Sequence, residues 1–103
     1  MYIKLPFSNL MVIIDKKTWT QAVSTGPSGG IYYGQTATDY PVPFVEQPMV
    51  FPSVVKTSAS GLMWVTLTQG NPRLDGFTCF IMSGANLGNV EMTLMYIAIG
   101  KWK

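Results

Sequence analysis

The chain has 103 residues, 48% of them hydrophobic and only 12% charged, with a formal net charge of +2. Such a length holds about one small domain, and a charged share near half of the roughly 25% usual for soluble domains leaves little polar material to cover a lone subunit. With no histidine and a single cysteine, the chain lacks the commonest general base and metal ligand, and Ser-His-Asp catalysis, Cys-His catalysis and an intrachain disulfide are excluded.

Helix signals are nearly absent. No stretch places apolar residues at i, i+3, i+4 and i+7, and Gly, Pro, Ser and Thr interrupt the chain every few residues. Strands are expected near Tyr2-Leu5, Leu10-Ile14, Thr18-Ser24, Gly30-Tyr33, Thr38-Phe44, Met49-Val55, Leu62-Thr68, Gly76-Met82 and Glu91-Gly100. Their regular spacing predicts an all-β sandwich.

Turn chemistry fills the breaks. Lys16-Lys17 reads as a solvated turn, Gly26-Pro27-Ser28-Gly29-Gly30 as a flexible loop, and 58–61, 69–73 and 83–89 as turns in which Gly and Asn supply positive φ. In Tyr40-Pro41-Val42-Pro43-Phe44 the alternate prolines suit an edge strand whose side without donors faces outward. The lysines are otherwise scattered or terminal, which is no nucleic-acid footprint. No apolar run nears the roughly 18 residues of a membrane span, and the N-terminus lacks a signal peptide's pattern, so neither membrane insertion nor export is expected.

The later strands are apolar on both sides. In Glu91-Gly100, Met92, Leu94, Tyr96 and Ala98 point one way and Met95, Ile97 and Ile99 the other, because side chains alternate along a strand. Phe77, Cys79 and Ile81 oppose Phe80 and Met82 in the same manner, and Met63, Val65 and Leu67 oppose Leu62 and Trp64. Parallel strands under covering helices show this pattern, and so does an antiparallel sheet buried between subunits. The helices are missing, and burying a large side chain contributes about 1.5–3 kcal/mol. A homo-oligomer is therefore expected, with Phe80, Met82, Met95, Ile97 and Ile99 in its interface.

No motif carries catalysis, a metal or a cofactor. Asp15, Asp39, Glu46, Asp75 and Glu91 are isolated acids and form no glycosidase motif. Zinc ligands, an Asp-rich calcium loop and a phosphate-cradling glycine loop before a helix are all lacking. Cys79, flanked by Phe77, Thr78, Phe80 and Ile81, reads as a buried small hydrophobe. Recognition is left to aromatics and polar loop groups. Tyr32 and Tyr33 are adjacent and so point to opposite faces, which leaves one of them outside a single core. Trp64 joins them as a ligand candidate, with core packing as its favoured rival. Asn71, Arg73 and Asp75 cluster donors and acceptors that could grip saccharide hydroxyls. The stronger reading of Arg73 and Asp75 is a turn ion pair worth under about 1 kcal/mol.

Five short segments, in order along the chain, resemble phrases of the C-terminal tip domains of tailed-bacteriophage tail fibres. Tyr2-Ile3-Lys4-Leu5-Pro6, followed by Asn9-Leu10-Met11-Val12-Ile13, is similar to their opening Tyr-x-Lys-Leu-Pro phrase and following strand. Tyr40-Pro41-Val42-Pro43-Phe44, Asp75-Gly76-Phe77-Thr78 and Tyr96-Ile97-Ala98-Ile99-Gly100 are similar to their Phe-Pro-x-x-Phe, Gly-Phe and terminal Trp-Ile-Ala-Ile-Gly phrases. The closing strands also resemble H-type lectins. The sequence departs in having Tyr96 for the usual Trp, in lacking the Gln-Trp-Gly phrase unless Tyr32-Tyr33-Gly34-Gln35 replaces it, and in an apparent insertion from Lys16 to Gly30.

The resemblance implies one antiparallel, H-type-lectin-like sandwich forming a homotrimer at the distal end of a virion's tail fibre. Residues 1–35 would supply N-terminal strands and a variable loop, and 36–103 the sandwich core. The implied partner is a bacterial cell-surface saccharide or another surface receptor, held in clefts between subunits, with Tyr96 mapping onto the lectin pattern's terminal aromatic. A trimerisation cap of a fibre and a cellular H-type lectin are the alternatives. The absent fibre shaft implies either a tip fragment or a separately translated product.

Overall fold

Segments rich in Val, Ile, Thr and aromatic residues fit a pleated, half-buried surface, and between them Gly, Pro, Asn and Ser stop pairing. In the computed structural model, which describes residues 1–5, 8–58, 62–68, 70 and 72–103 apart from the side chain of Lys56, they form eight strands and no helix among the described residues. The strands are β1 (Tyr2–Lys4), β2 (Leu10–Val23), β3 (Thr25–Ser28), β4 (Ile31–Asp39), β5 (Met49–Thr57), β6 (Met63–Leu67), β7 (Gly76–Ser83) and β8 (Leu87–Lys101). Two four-stranded antiparallel sheets result, one in the order β1-β2-β8-β5 and the other β3-β4-β7-β6. They are called the first and second sheet below. Packed face to face they make an all-β sandwich.

The core lies between the sheets. Met11, Ile13 and Val23 of β2, Val50 of β5, Phe77, Cys79 and Ile81 of β7, and Val90, Met92, Leu94, Tyr96 and Ala98 of β8 are all buried in one cluster. These are the inward members of each alternating set. Three of the fourteen buried residues of this cluster, Met11, Ile13 and Val23, come from before residue 36, and the other eleven come from after it.

Several expected elements differ. Leu10-Ile14 and Thr18-Ser24 are one strand, because Asp15, Lys16 and Lys17 continue the ladder opposite Tyr96, Met95 and Leu94. Lys17 is no turn residue: its amine donates to Thr36 Oγ1 (2.9 Å) and to the Ala37 carbonyl (3.0 Å), and it lies over the Trp19 ring. A long aliphatic stem lets a lysine stay in a strand while its charge finds oxygens on the facing sheet. The Gly26 to Gly30 stretch contains β3, with its turn confined to Gly29 and Gly30. Gly30-Tyr33 and Thr38-Phe44 are replaced by a continuous β4, and Leu87 to Asn89, expected in a turn, start β8.

Residues 40–48 form no strand, which corrects the expected proline-marked edge strand. Missing two donors at Pro41 and Pro43, this segment instead crosses from the second sheet to the first. It is tied by Tyr40 N to the Asp75 carbonyl (2.9 Å), Phe44 N to that of Leu74 (2.8 Å) and Val45 N to that of Lys101 (2.9 Å). The crossing sets Tyr40 and Phe44 over one end of the core, where they meet Phe77 and Tyr96 with ring centroids 5.0–6.1 Å apart. Three phrases far apart in sequence thus converge on one aromatic cluster. Gly100 is needed beneath it, since a Cβ there would come within 2.8 Å of the Phe44 ring.

Candidate binding surfaces

Alternation that fills the core also sends a second set of apolar side chains outward, and each sheet carries its own outward set. On the first sheet, cross-strand pairing places Ile3 beside Val12, Val12 beside Ile99, Ile14 beside Ile97, Met49 beside Ile99 and Phe51 beside Ile97. Met95 follows in the same row, opposite Lys16. Six of these outward residues remain well exposed: Ile3 51%, Leu10 41%, Ile14 39%, Met49 63%, Phe51 52% and Met95 37%. Val12, Ile97 and Ile99 are half-buried. Lys16 next to Met95 and Lys101 next to Leu10 bracket the apolar block along the β2 and β8 strands, and Lys101 pairs with Glu46 at 3.5 Å.

The outward face of the second sheet is of a different kind. Tyr33 of β4, Met82 of β7 and Trp64 of β6 lie in one row across the three strands, with Phe80 in the next. Tyr33 meets Phe80 edge-on, ring centroids 5.2 Å apart. Tyr33, Phe80 and Met82 line an open groove of about 310 Å³ with Ser28 and Ile31, and no charged side chain lines it. Trp64, 41% exposed, stands beyond Met82. Such a groove offers flat apolar faces and the hydroxyls of Tyr33 and Ser28.

The expected ligand residues therefore part company. Tyr33 and Trp64 share the outward face of the second sheet, while Tyr32, paired with the buried Ser83, points to the inner side. Arg73 and Asp75 lie near the opposite end of β7, about 13 Å along the strand at roughly 3.3 Å per residue from Thr78 to Met82. Arg73 is engaged by its own turn: its backbone N–H donates to Gly76 O (2.8 Å), Nη1 to Thr78 Oγ1 (2.7 Å), and Nε to Asp75 Oδ1 (3.4 Å), with Asp39 at 4.0 Å from Nη2. This is the turn ion pair rather than a pair of hands held out to a sugar. Asn71 lies outside the described residues.

Tyr96 is corrected outright as a ligand residue. Its side chain is 2% exposed, stacked edge-on against Phe77, so no ligand reaches it in this fold. Burial, and next the negative Asp15 carboxylate, push its phenol up to about 12, while burial pushes the Cys79 thiol up to about 11 despite the nearby Lys17 charge. Both stay protonated and inert near neutrality, and Cys79 is the buried small hydrophobe that its neighbours suggested.

The expected interface residues also separate. Phe80 and Met82 lie outside the second sheet, and Met95, Ile97 and Ile99 outside the first, on opposite sides of the sandwich. Sequence reading missed Ile31 in the groove and Ile3, Leu10, Ile14, Met49 and Phe51 on the first sheet. The signal was present for Ile14: Leu10, Val12 and Ile14 alternate with Met11 and Ile13, the same doubly apolar pattern as β8. Met49 and Phe51 were legible only through their pairing with β8.

Among the described residues no group of three or more His, Cys, Asp or Glu side chains comes together that could hold a metal ion. In comparisons with known proteins, no family model, no curated protein and no solved structure matches the chain.

Proposed function

We propose that this chain is a non-catalytic binding module that works as a homo-oligomer, a trimeric tip at the distal end of a tailed-bacteriophage fibre that adheres to a bacterial surface receptor, with a cell-surface saccharide as the leading ligand class. The observation that carries self-association is the exposure of large apolar side chains outside both sheets. Six such side chains on the first sheet are 37–63% exposed. If complete burial of each contributes about 1.5–3 kcal/mol, roughly half remains to be gained, on the order of 5–9 kcal/mol for the six. In a trimer three copies gain this, on the order of 15–27 kcal/mol in all, against two association steps that cost roughly 4–15 kcal/mol each.

The number of subunits, the fibre and the saccharide rest on the ordered sequence phrases. Weak sites repeated three times on a rigid head would bind a cell surface by avidity. Sedimentation equilibrium of the purified protein at micromolar concentration is expected to give the mass of three chains, and the same sample is expected to bind host cells and their extracted surface polysaccharide. A monomer would remove the oligomer. A trimer that leaves host cells bare, while the intact fibre binds them, would remove the adhesin.

The engagement of Arg73 and the burial of Tyr96 favour a second reading, a trimerising cap that aligns fibre shafts, because they withdraw polar and aromatic groups from any ligand. In that case deletion of the domain stops fibre assembly, whereas Tyr33→Ser leaves infection unchanged.

A further inference from the structure

We infer that the outward face of the first sheet is where copies of this chain pack against one another, and that the second sheet, with its Tyr33 groove, faces away from that contact. This rests on the self-association reading above and says which surface performs it.

The two apolar faces lie on opposite sides of a flat body, whose Cα extents are 47 × 24 × 15 Å. Packing the outside of the first sheet onto the outside of the second stacks copies in line, and a head-to-tail contact that does not turn the chain back on itself gives an open filament. A closed assembly can therefore use only one of the two faces. Three copies can each turn the same face toward a shared axis, so that its β1-β2 half meets one neighbour and its β8-β5 half the other.

Shape and chemistry select the first sheet. Either broad side of the molecule, 47 by 24 Å between Cα atoms, has room for the roughly 800 Å² that each partner buries in a stable interface, but on the first sheet exposed apolar side chains reach across all four strands. Across β1, β2, β8 and β5 the apolar block is made of the exposed Ile3, Leu10, Ile14, Met49, Phe51 and Met95, with Lys101 beside Leu10 at one end and Lys16 and Ser53 flanking Met95 at the other. An apolar centre with a charged border is the anatomy of a protein interface. The second sheet is smaller, its strands having four, nine, eight and five residues against three, fourteen, fifteen and nine in the first, and among the large apolar side chains of its strands only Trp64 is well exposed. Both faces carry an open hollow, about 310 Å³ beside Tyr33 and about 340 Å³ beside Ile14 and Met95, so it is the greater exposed apolar surface that marks the first sheet.

The test compares charged substitutions on one face with polar substitutions on the other. Ile14→Glu and Phe51→Glu are expected to lower the sedimentation mass at micromolar concentration to that of one chain, while Tyr33→Ser and Trp64→Ser keep the wild-type mass. All four side chains point away from the core, and circular dichroism checks that each variant folds. As a second measurement, the double variant Ile3→Cys/Phe51→Cys, one thiol on each half of the face, is expected to form interchain disulfides under mild oxidation, whereas Trp64→Cys is not. An unchanged mass for both first-sheet variants, or dissociation by Tyr33→Ser or Trp64→Ser, overturns the assignment while self-association itself stands. A monomeric wild type overturns both.

Discussion

Replacing Tyr40 by Phe removes one buried hydroxyl and leaves the aromatic cluster otherwise intact. The residue is 7% exposed, its ring stands edge-on to Phe44 at 5.2 Å, and its hydroxyl is buried with no hydrogen-bond partner. A buried polar group left unsatisfied costs about 1–3 kcal/mol. Losing the oxygen opens a cavity of roughly 10 Å³, worth only about 0.2 kcal/mol at about 24 cal/mol per Å³. Tyr40→Phe is therefore expected to stabilise the fold by about 1–2 kcal/mol, raising Tm by roughly 4–8 °C per kcal/mol for a domain of this size. Urea titrations and thermal melts check this, with variant and wild type at one protein concentration because association contributes to apparent stability. A loss of 1 kcal/mol or more would refute the reasoning, since it would mean that the hydroxyl is satisfied in the folded protein.

Alkaline pH acts on the same core. The Tyr96 phenol is pushed from 10.0 up to about 12 and the Cys79 thiol from 9.0 up to about 11, both chiefly by burial. The folded state thus holds these protons longer than the unfolded one, so their contribution is complete below about pH 9 and is lost as pH climbs toward 12. The urea midpoint should fall between pH 8 and 11, and a flat midpoint would contradict the burial argument. Gly34→Ala is expected to cost about 1–3 kcal/mol, because an added Cβ runs into the Ala22 carbonyl and the Gln21 amide where β2 crosses β4. Urea unfolding measures it, and a neutral result would show that the two strands can part freely. Arg73→Ala should cost about 1 kcal/mol in the same assay by freeing the turn before β7, a modest figure because the side chain is 38% exposed. Host-cell binding should be retained, and its loss would return Arg73 to the ligand site.

How much of this was legible beforehand varies by residue. β7 was placed nearly whole, and β8 from Glu91 to Gly100, because their alternation is uninterrupted there, while the turn-like Leu87 to Asn89 hid the start of β8. Lys16 and Lys17 misled: two adjacent charges look like a turn, yet Lys17 finds oxygens on Thr36 and Ala37, which lie nineteen and twenty residues ahead. The prolines at 41 and 43 signalled lost donors correctly, but whether such a segment borders a sheet or leaves it depends on Asp75, Leu74 and Lys101, whose carbonyls hold it. Tyr96 resembled a ligand aromatic by position and is a core ring by packing.

From the sequence alone came the all-β class and the two-sided apolar strands, since which way a side chain points along a strand depends only on its immediate neighbours. Only the tertiary structure decided which outward residues share a surface. That depends on strand partners far apart in the chain, and it set Met95, Ile97 and Ile99 on one side of the sandwich and Phe80 and Met82 on the other. One expected interface thereby became two separate faces, one on each sheet.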